Sequence, residues 1–178
     1  MKKYPRDEIP FPVRPGDTVY HLRGGDEGVQ VVAEVAHAVG VDDDGRLFVL
    51  QGDTCVPIGA EGRCFRTADD ARAFAEDEAS LARDYGTIEY GMLDLPFYPG
   101  DELFFPDYDP VFDRWQIIVS ICTQVVFNED GTVDVTDDTG GEARIVGERQ
   151  HSFCAPTFDT ARKARNYVKK QGYGSWKS

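Results

Sequence analysis

Most of this chain occurs twice, and that duplication limits the folds open to it. Phe11-Pro12-Val13-Arg14-Pro15-Gly16-Asp17-Thr18-Val19-Tyr20 returns as Leu95-Pro96-Phe97-Tyr98-Pro99-Gly100-Asp101-Glu102-Leu103-Phe104. Val31 to Leu50 returns without a gap as Ile117 to Thr136. Cys64-Phe65-Arg66-Thr67, followed by Ala71-Arg72, returns as Cys154-Ala155-Pro156-Thr157, followed by Ala161-Arg162. The offset grows from 84 to 86 to 90 residues, so insertions are expected in loops between matched elements. A unit of roughly 80 residues lies near the lower limit for a self-sufficient core, and the two copies are expected to share an interface. The predicted organisation is an N-terminal arm over 1–10, a first unit over 11–85, a packed linker over 86–94, a second unit over 95–172 and a tail over 173–178.

Each unit opens on a Pro-Gly-Asp turn, in which proline presets φ and glycine accepts the positive φ of a type II turn. Short strands are predicted over 17–22 and 101–105. A long β-branched strand follows, with Val31, Val32, Val35, Val39 and Val41 matched by Ile117, Ile118, Ile121, Val125 and Phe127. Asp42-Asp43-Asp44-Gly45 and Asn128-Glu129-Asp130-Gly131 read as hairpin loops. Return strands over 46–50 and 132–136 follow, with a further short one around 144–146. Thr67, with Asp70 three residues on, reads as a helix N-cap, and Thr157 is read as its counterpart. Gly172 reads as the stop of the second helix. The fold class expected is α+β: two tandem repeats, each a small, strongly bent antiparallel sheet or SH3-like barrel closed by one C-terminal helix.

The net charge is −13. It is uneven, because residues 157–178 carry Arg162, Lys163, Arg165, Lys169, Lys170 and Lys177 against Asp159 alone. Such acidity repels phosphate backbones, so no direct nucleic-acid partner is expected, and it attracts basic protein faces. No stretch approaches the ~20 apolar residues of a membrane helix. Met1-Lys2-Lys3 leads into no apolar signal region, so a cytoplasmic location and no membrane partner are expected.

Chemistry is hard to find in the sequence. Cys55, Cys64, Cys122 and Cys154 form no CxxC pair and read as small buried hydrophobes. The acidic loop from Asp42 has its glycine at the fourth position rather than the sixth that a calcium loop needs, so no metal is expected. His21, His37 and His151 are unpaired, and no P-loop, GxGxxG, HExxH or nucleophile elbow is present. No cofactor is expected. Cys154 three residues after His151 is the one nucleophile candidate. The aromatic cluster of Phe97, Tyr98, Phe104, Phe105, Tyr108, Phe112 and Trp115 is interleaved with acids. It reads either as filling of the second core and the inter-repeat seam or as a protein-binding hot spot.

The order of glycine-aspartate turn, strand, long β-branched strand, hairpin and Thr-x-x-x-Ala helix start loosely resembles small β-module-plus-helix repeat proteins of bacterial phages and mobile elements. The resemblance implies a mobile-element setting and transfers no catalytic residues. The function expected is a non-enzymatic acidic protein-interaction module, in its sharper form an anti-defence inhibitor of a nucleic-acid-binding host protein. The protein-binding candidates are Asp42, Asp43, Asp44, Asp107, Tyr108, Asp109, Phe112, Glu129 and Asp130. One alternative is a self-associating structural or assembly component, a homo-oligomer. Another is a thiol-dependent enzyme using Cys154.

Overall fold

The computed structural model of the chain describes residues 4–9, 11–25, 28–51, 54–58, 64–76, 93–140, 142–145 and 156–172. A 3-10 turn at Arg6–Glu8 precedes β1 (Thr18–Gly25), β2 (Gly28–Val35), β3 (Ala38–Asp42), β4 (Leu47–Gln51), β5 (Thr54–Pro57), β6 (Cys64–Phe65) and α1 (Ala68–Glu76). Then come β7 (Glu102–Asp109), β8 (Arg114–Asn128), β9 (Val133–Asp137), β10 (Glu142–Ile145) and α2 (Ala161–Lys170). The class is α+β, and the strands pair antiparallel. One sheet runs β2-β1-β6; the other runs β10-β9-β8-β3-β4-β5, with β7 on the remaining edge of β8. Among the described residues both orders are open. That corrects the barrel alternative: among the described strands no pairing joins the two ends of either sheet.

The two Pro-Gly-Asp turns are built alike. Asp17 accepts from the Arg14 amide at 2.9 Å, and Asp101 accepts from the Tyr98 amide at 2.9 Å. Gly16 and Gly100 sit at φ 85° and 96°, which a side chain would resist. Their amides donate to Ala36 and Cys122 carbonyls, both at 2.7 Å. These bonds catch the chain in mid-strand, with different results in the two halves. At Ala36 and His37 the expected long strand breaks, so β2 joins one sheet and β3 the other. In the second half β8 runs unbroken through a register shift between Cys122 and Gln124. One long strand was therefore correct for the second half and a correction is needed for the first.

The halves meet along β3 and β8. Val39 faces Phe127, Gly40 faces Val126 and Val41 faces Val125. At the offset of 86, Val39 matches Val125 and Val41 matches Phe127, so this pairing is symmetric about Gly40–Val126. Gly40 is required there, since a Cβ would lie 2.3 Å from the Phe48 ring and 2.6 Å from the Val125 carbonyl oxygen. Below the sheet, Val39, Val41, Leu47, Val49, Val125, Phe127, Val133 and Val135 form one buried face. Phe11, Val13, Leu95 and Phe97 from the segments before the two turns close over it. The N-terminal arm belongs to this core. Tyr4 and Phe11 set their rings edge-on to Phe127 at 5.0 and 5.1 Å, and the Tyr4 hydroxyl donates to the Asp94 carbonyl at 2.6 Å.

The helices correct the sequence reading of the second cap. Thr67 Oγ1 accepts from the Asp70 amide at 3.1 Å as expected. In α2 the cap is Thr160, whose Oγ1 accepts from the Lys163 amide at 3.3 Å, and not Thr157. Thr157 is buried with its hydroxyl unpartnered. The two helix regions correspond at an offset of 93 rather than 90. Phe65 packs on Phe74 at 5.2 Å and Phe158 on Tyr167 at 5.4 Å, while Ala71 and Ala164 are both fully buried. Phe65 pairs with Tyr20 beside β1, as Phe158 bridges Phe104 beside β7. The first unit beyond Glu76 lies outside the described residues, as does most of the 86–94 linker.

Candidate protein-interaction site

The candidates from the sequence fall in three places. Asp42, Asp43 and Asp44 lie in the β3–β4 loop, at the end of β3 that pairs with Gln124. Glu129 and Asp130 lie in the β8–β9 loop, beyond Asn128 and next to Ala38. Four residue steps separate these ends, roughly 14 Å at ~3.4 Å per residue. Asp107, Tyr108, Asp109 and Phe112 sit together at the tip of the β7–β8 hairpin, at the far end of β8. No single face gathers all nine.

Local geometry explains most of the acids. Asp42 Oδ1 accepts from the Asp44 and Arg46 amides at 3.1 and 2.8 Å, so it holds its own loop. Asp44 pairs with Arg46 at 3.1 Å, and Asp43 is exposed. Asp130 Oδ1 accepts from the Thr132 amide at 3.0 Å and its hydroxyl at 2.6 Å. Glu129 is exposed beside Gly16, close to Arg6, whose Nε donates to the Pro15 carbonyl at 2.9 Å. These are Asx-type turns, in which a carboxylate replaces a strand partner for loop amides.

The hairpin tip is different, because there the acids hold apolar groups out in water. Asp109 Oδ1 accepts from the Val111 and Phe112 amides at 3.0 and 3.2 Å. Asp113 takes the left-handed conformation at φ 48°, which Asp tolerates better than most residues, and accepts the Tyr108 hydroxyl. That bond raises the Tyr108 pKa, with desolvation and the charges of Asp113 and Asp109 adding to it. Asp107 accepts from Gln116 at 3.1 Å across the strands. Tyr108 packs on Trp115 at 5.5 Å, and the Arg114 guanidinium lies 5.1 Å from the Phe112 ring. Val111 is 82% exposed, Phe112 66% and Tyr108 43%. The aromatic cluster is thus divided. Phe97 is buried and Tyr98 packs on the core, whereas Tyr108 and Phe112 face solvent.

The sequence reading missed a shallow depression of about 290 Å³ between the two sheets, lined by His21, Leu22, Arg23, Val32, Glu34 and Gln51. His21 hydrogen-bonds Gln51, and Arg23 lies 3.7 Å from Glu34. Burial lowers the His21 pKa; Glu34 opposes this and Arg23 adds to it. Alternation along β1 puts His21 and Arg23 on one face, but nothing in the sequence joins them to Gln51.

The thiols of Cys55, Cys64 and Cys122 are held in the protonated form. Desolvation is the main cause that pushes Cys64 and Cys122 up to about 12, and it raises Cys55 as well. Cys154 and His151 lie outside the described residues. Among the described residues, no three His, Cys, Asp or Glu side chains converge as a metal site, and no helix is long and apolar enough to cross a membrane. Compared with known proteins, the chain matches no family model, no curated protein and no solved structure.

Proposed function

We propose that this chain is a non-enzymatic protein-interaction module made of two tandem copies of one unit, each a β-hairpin, a turn of sheet and a helix. Its docking surface is the tip of the β7–β8 hairpin. The observation that carries the reading is the exposure of Val111, Phe112 and Tyr108 on a loop tied down by Asp109 and Asp113. A loop already held in one shape loses little entropy on binding, and exposed aromatics on such loops supply most of the energy in many interfaces. Asp107, Asp109 and Asp113 around the tip favour a partner whose apolar pocket has a basic rim. They disfavour an anionic membrane surface.

The two-copy description is supported by matched turns, matched caps and the symmetric β3–β8 pairing. Imitation of nucleic-acid charge draws less support, because Asp42 and Asp130 are engaged within their own loops. A mobile-element setting is what the resemblance implies, and inhibition of a nucleic-acid-binding host protein rests on the acidic charge. The test is capture from a bacterial lysate by wild-type chain and by a Tyr108→Ala, Phe112→Ala double variant. Loss of a specific captured protein in the folded variant supports tip docking; unchanged capture contradicts it.

A further inference from the structure

The bonding parity of the β7–β8 hairpin shows which backbone groups point away from it. In an antiparallel ladder the N–H and C=O of one residue point to the same side, and successive residues alternate. Phe104 exchanges both bonds with Phe158 at 2.9 Å, so Glu102, Phe104 and Pro106 face the outer side of β7. That side is protected, since Pro106 has no N–H to offer and Phe158 covers Phe104. Leu103, Phe105 and Asp107 therefore bond towards β8, to Ser120, Ile118 and Gln116. Ile121, Val119 and Ile117 must face the other way.

The far side of β8 confirms the parity and is only partly filled. Asp138 takes both groups of Ile121: its Oδ1 accepts from the Ile121 amide at 3.2 Å, and its own amide donates to the Ile121 carbonyl at 2.9 Å. Beyond Asp138, no described strand continues beside Val119 and Ile117. The stretch Trp115 to Ile121 contains no proline, lysine or bulge, the devices that normally blunt an edge. Val119 and Ile121 are 52% and 38% exposed on the same face. Acids stand at both ends, with Asp138 at one and Asp107, Asp109 and Asp113 at the other; Arg114, at the second end, lies over Phe112, and the basic helix α2 packs against β7 and β8.

We infer that the β8 edge over Ile117–Ile121 accepts an extended segment of a partner protein as an added strand, continuing the line that Asp138 begins. The segment alternates β-branched residues with Lys or Arg, so that the apolar ones cover Val119 and Ile121 and the cations meet the flanking acids. This inference rests on the protein-interaction reading and names the mode and chemistry of the partner.

The test uses the full chain and an end-blocked eight-residue peptide alternating valine and lysine, read by amide hydrogen exchange. In the free chain the Val119 and Ile117 amides exchange fast while those of Ile118 and Ser120 are protected. With saturating peptide, Val119 and Ile117 slow by about tenfold or more. Val119→Pro removes only an outward N–H and weakens peptide binding about tenfold. Because that variant can also disturb the strand, a peptide N-methylated at its valines is compared on the unaltered chain and is expected not to protect. Unchanged exchange at Val119 and Ile117, or equal binding by the methylated peptide, overturns strand addition. Equal binding of a valine–glutamate peptide overturns the charge assignment. Protection that rises with chain concentration alone assigns the edge to a second copy and overturns the partner assignment. Tip docking is judged separately: capture lost in the Tyr108, Phe112 variant with no edge protection leaves that reading standing without this one.

Discussion

The β1–β2 and β7–β8 hairpins start from the same turn, lean on helices capped in the same way, and end differently. β1 and β2 are joined by Gly24-Gly25-Asp26-Glu27-Gly28, a sequence rich in glycine and without an apolar side chain. β7 and β8 close through a loop that holds Val111 and Phe112 in water. The helices diverge in the same manner. Ala71 and Ala164 are equally buried, yet Asp69 and Asp70 of α1 stand where α2 has Arg162 and Lys163. What the halves share is what either needs in order to fold: the Asp-held turn, the capping threonine, the ring pair and the buried alanine. They differ inside as well, where β2 and β3 part at Ala36–His37 while β8 runs on, and on the surface at the hairpin ends and along the helices.

The largest expected break in this comparison is at the shared core. Phe127→Ala removes the ring on which Tyr4 and Phe11 rest, and is expected to cost about 3–5 kcal/mol in urea unfolding. Val41→Ala at the matched position removes fewer atoms and is expected to cost less. Next is the seam itself. Gly40→Ala forces the Phe48 ring or the Val125 backbone to move, with an expected loss of about 1–3 kcal/mol by the same measurement.

The caps sharpen the correspondence. Thr67→Ala and Thr160→Ala are each expected to cost about 1 kcal/mol. Thr157→Val, which removes a buried hydroxyl with no partner, is expected to be neutral or stabilising. Equal losses at Thr157 and Thr160 would restore the offset of 90. A further effect is on pH dependence. The folded thiols of Cys64 and Cys122 are held at about 12, above their ordinary range near ~8.5. The unfolded chain therefore releases these protons first. Their contribution is complete below pH ~8.5 and is lost as pH rises towards 12. Unfolding at stepped pH is expected to show that fall, reduced in a Cys64→Ala, Cys122→Ala variant.

The turns, the hairpins and the first cap were legible in the sequence because each depends on residues within a few positions of one another. Asp17 reaches Arg14, and Thr67 reaches Asp70. The match of Cys64 with Cys154 places the second cap three residues too early. The stronger signal was Phe-x-Thr-Ala-x-x-Ala-Arg, present at Phe65 and again at Phe158. The split of β2 from β3 was not legible, since Val31 to Val41 and Ile117 to Phe127 carry the same alternation and the break depends on which sheet each strand joins. At the candidate site, the tip aromatics were found by their spacing. Acidic charge was equally visible, but the turn geometry that engages Asp42, Asp109 and Asp130 emerges only when the loops close. Asp or Asn two residues before a loop amide is the signal that would have marked them.

The most direct measurement exchanges the two hairpin ends. Residues 109–113 are replaced by the sequence of residues 24–28, the reciprocal exchange is made at the first hairpin, and both chains are compared with wild type for thermal stability and for the protein they capture. Melting temperatures near wild type are expected for both, with capture lost from the chain that gives up Val111 and Phe112 and kept by a chain that retains them at either hairpin. Capture of the same protein by a folded chain lacking the aromatic tip would contradict the account.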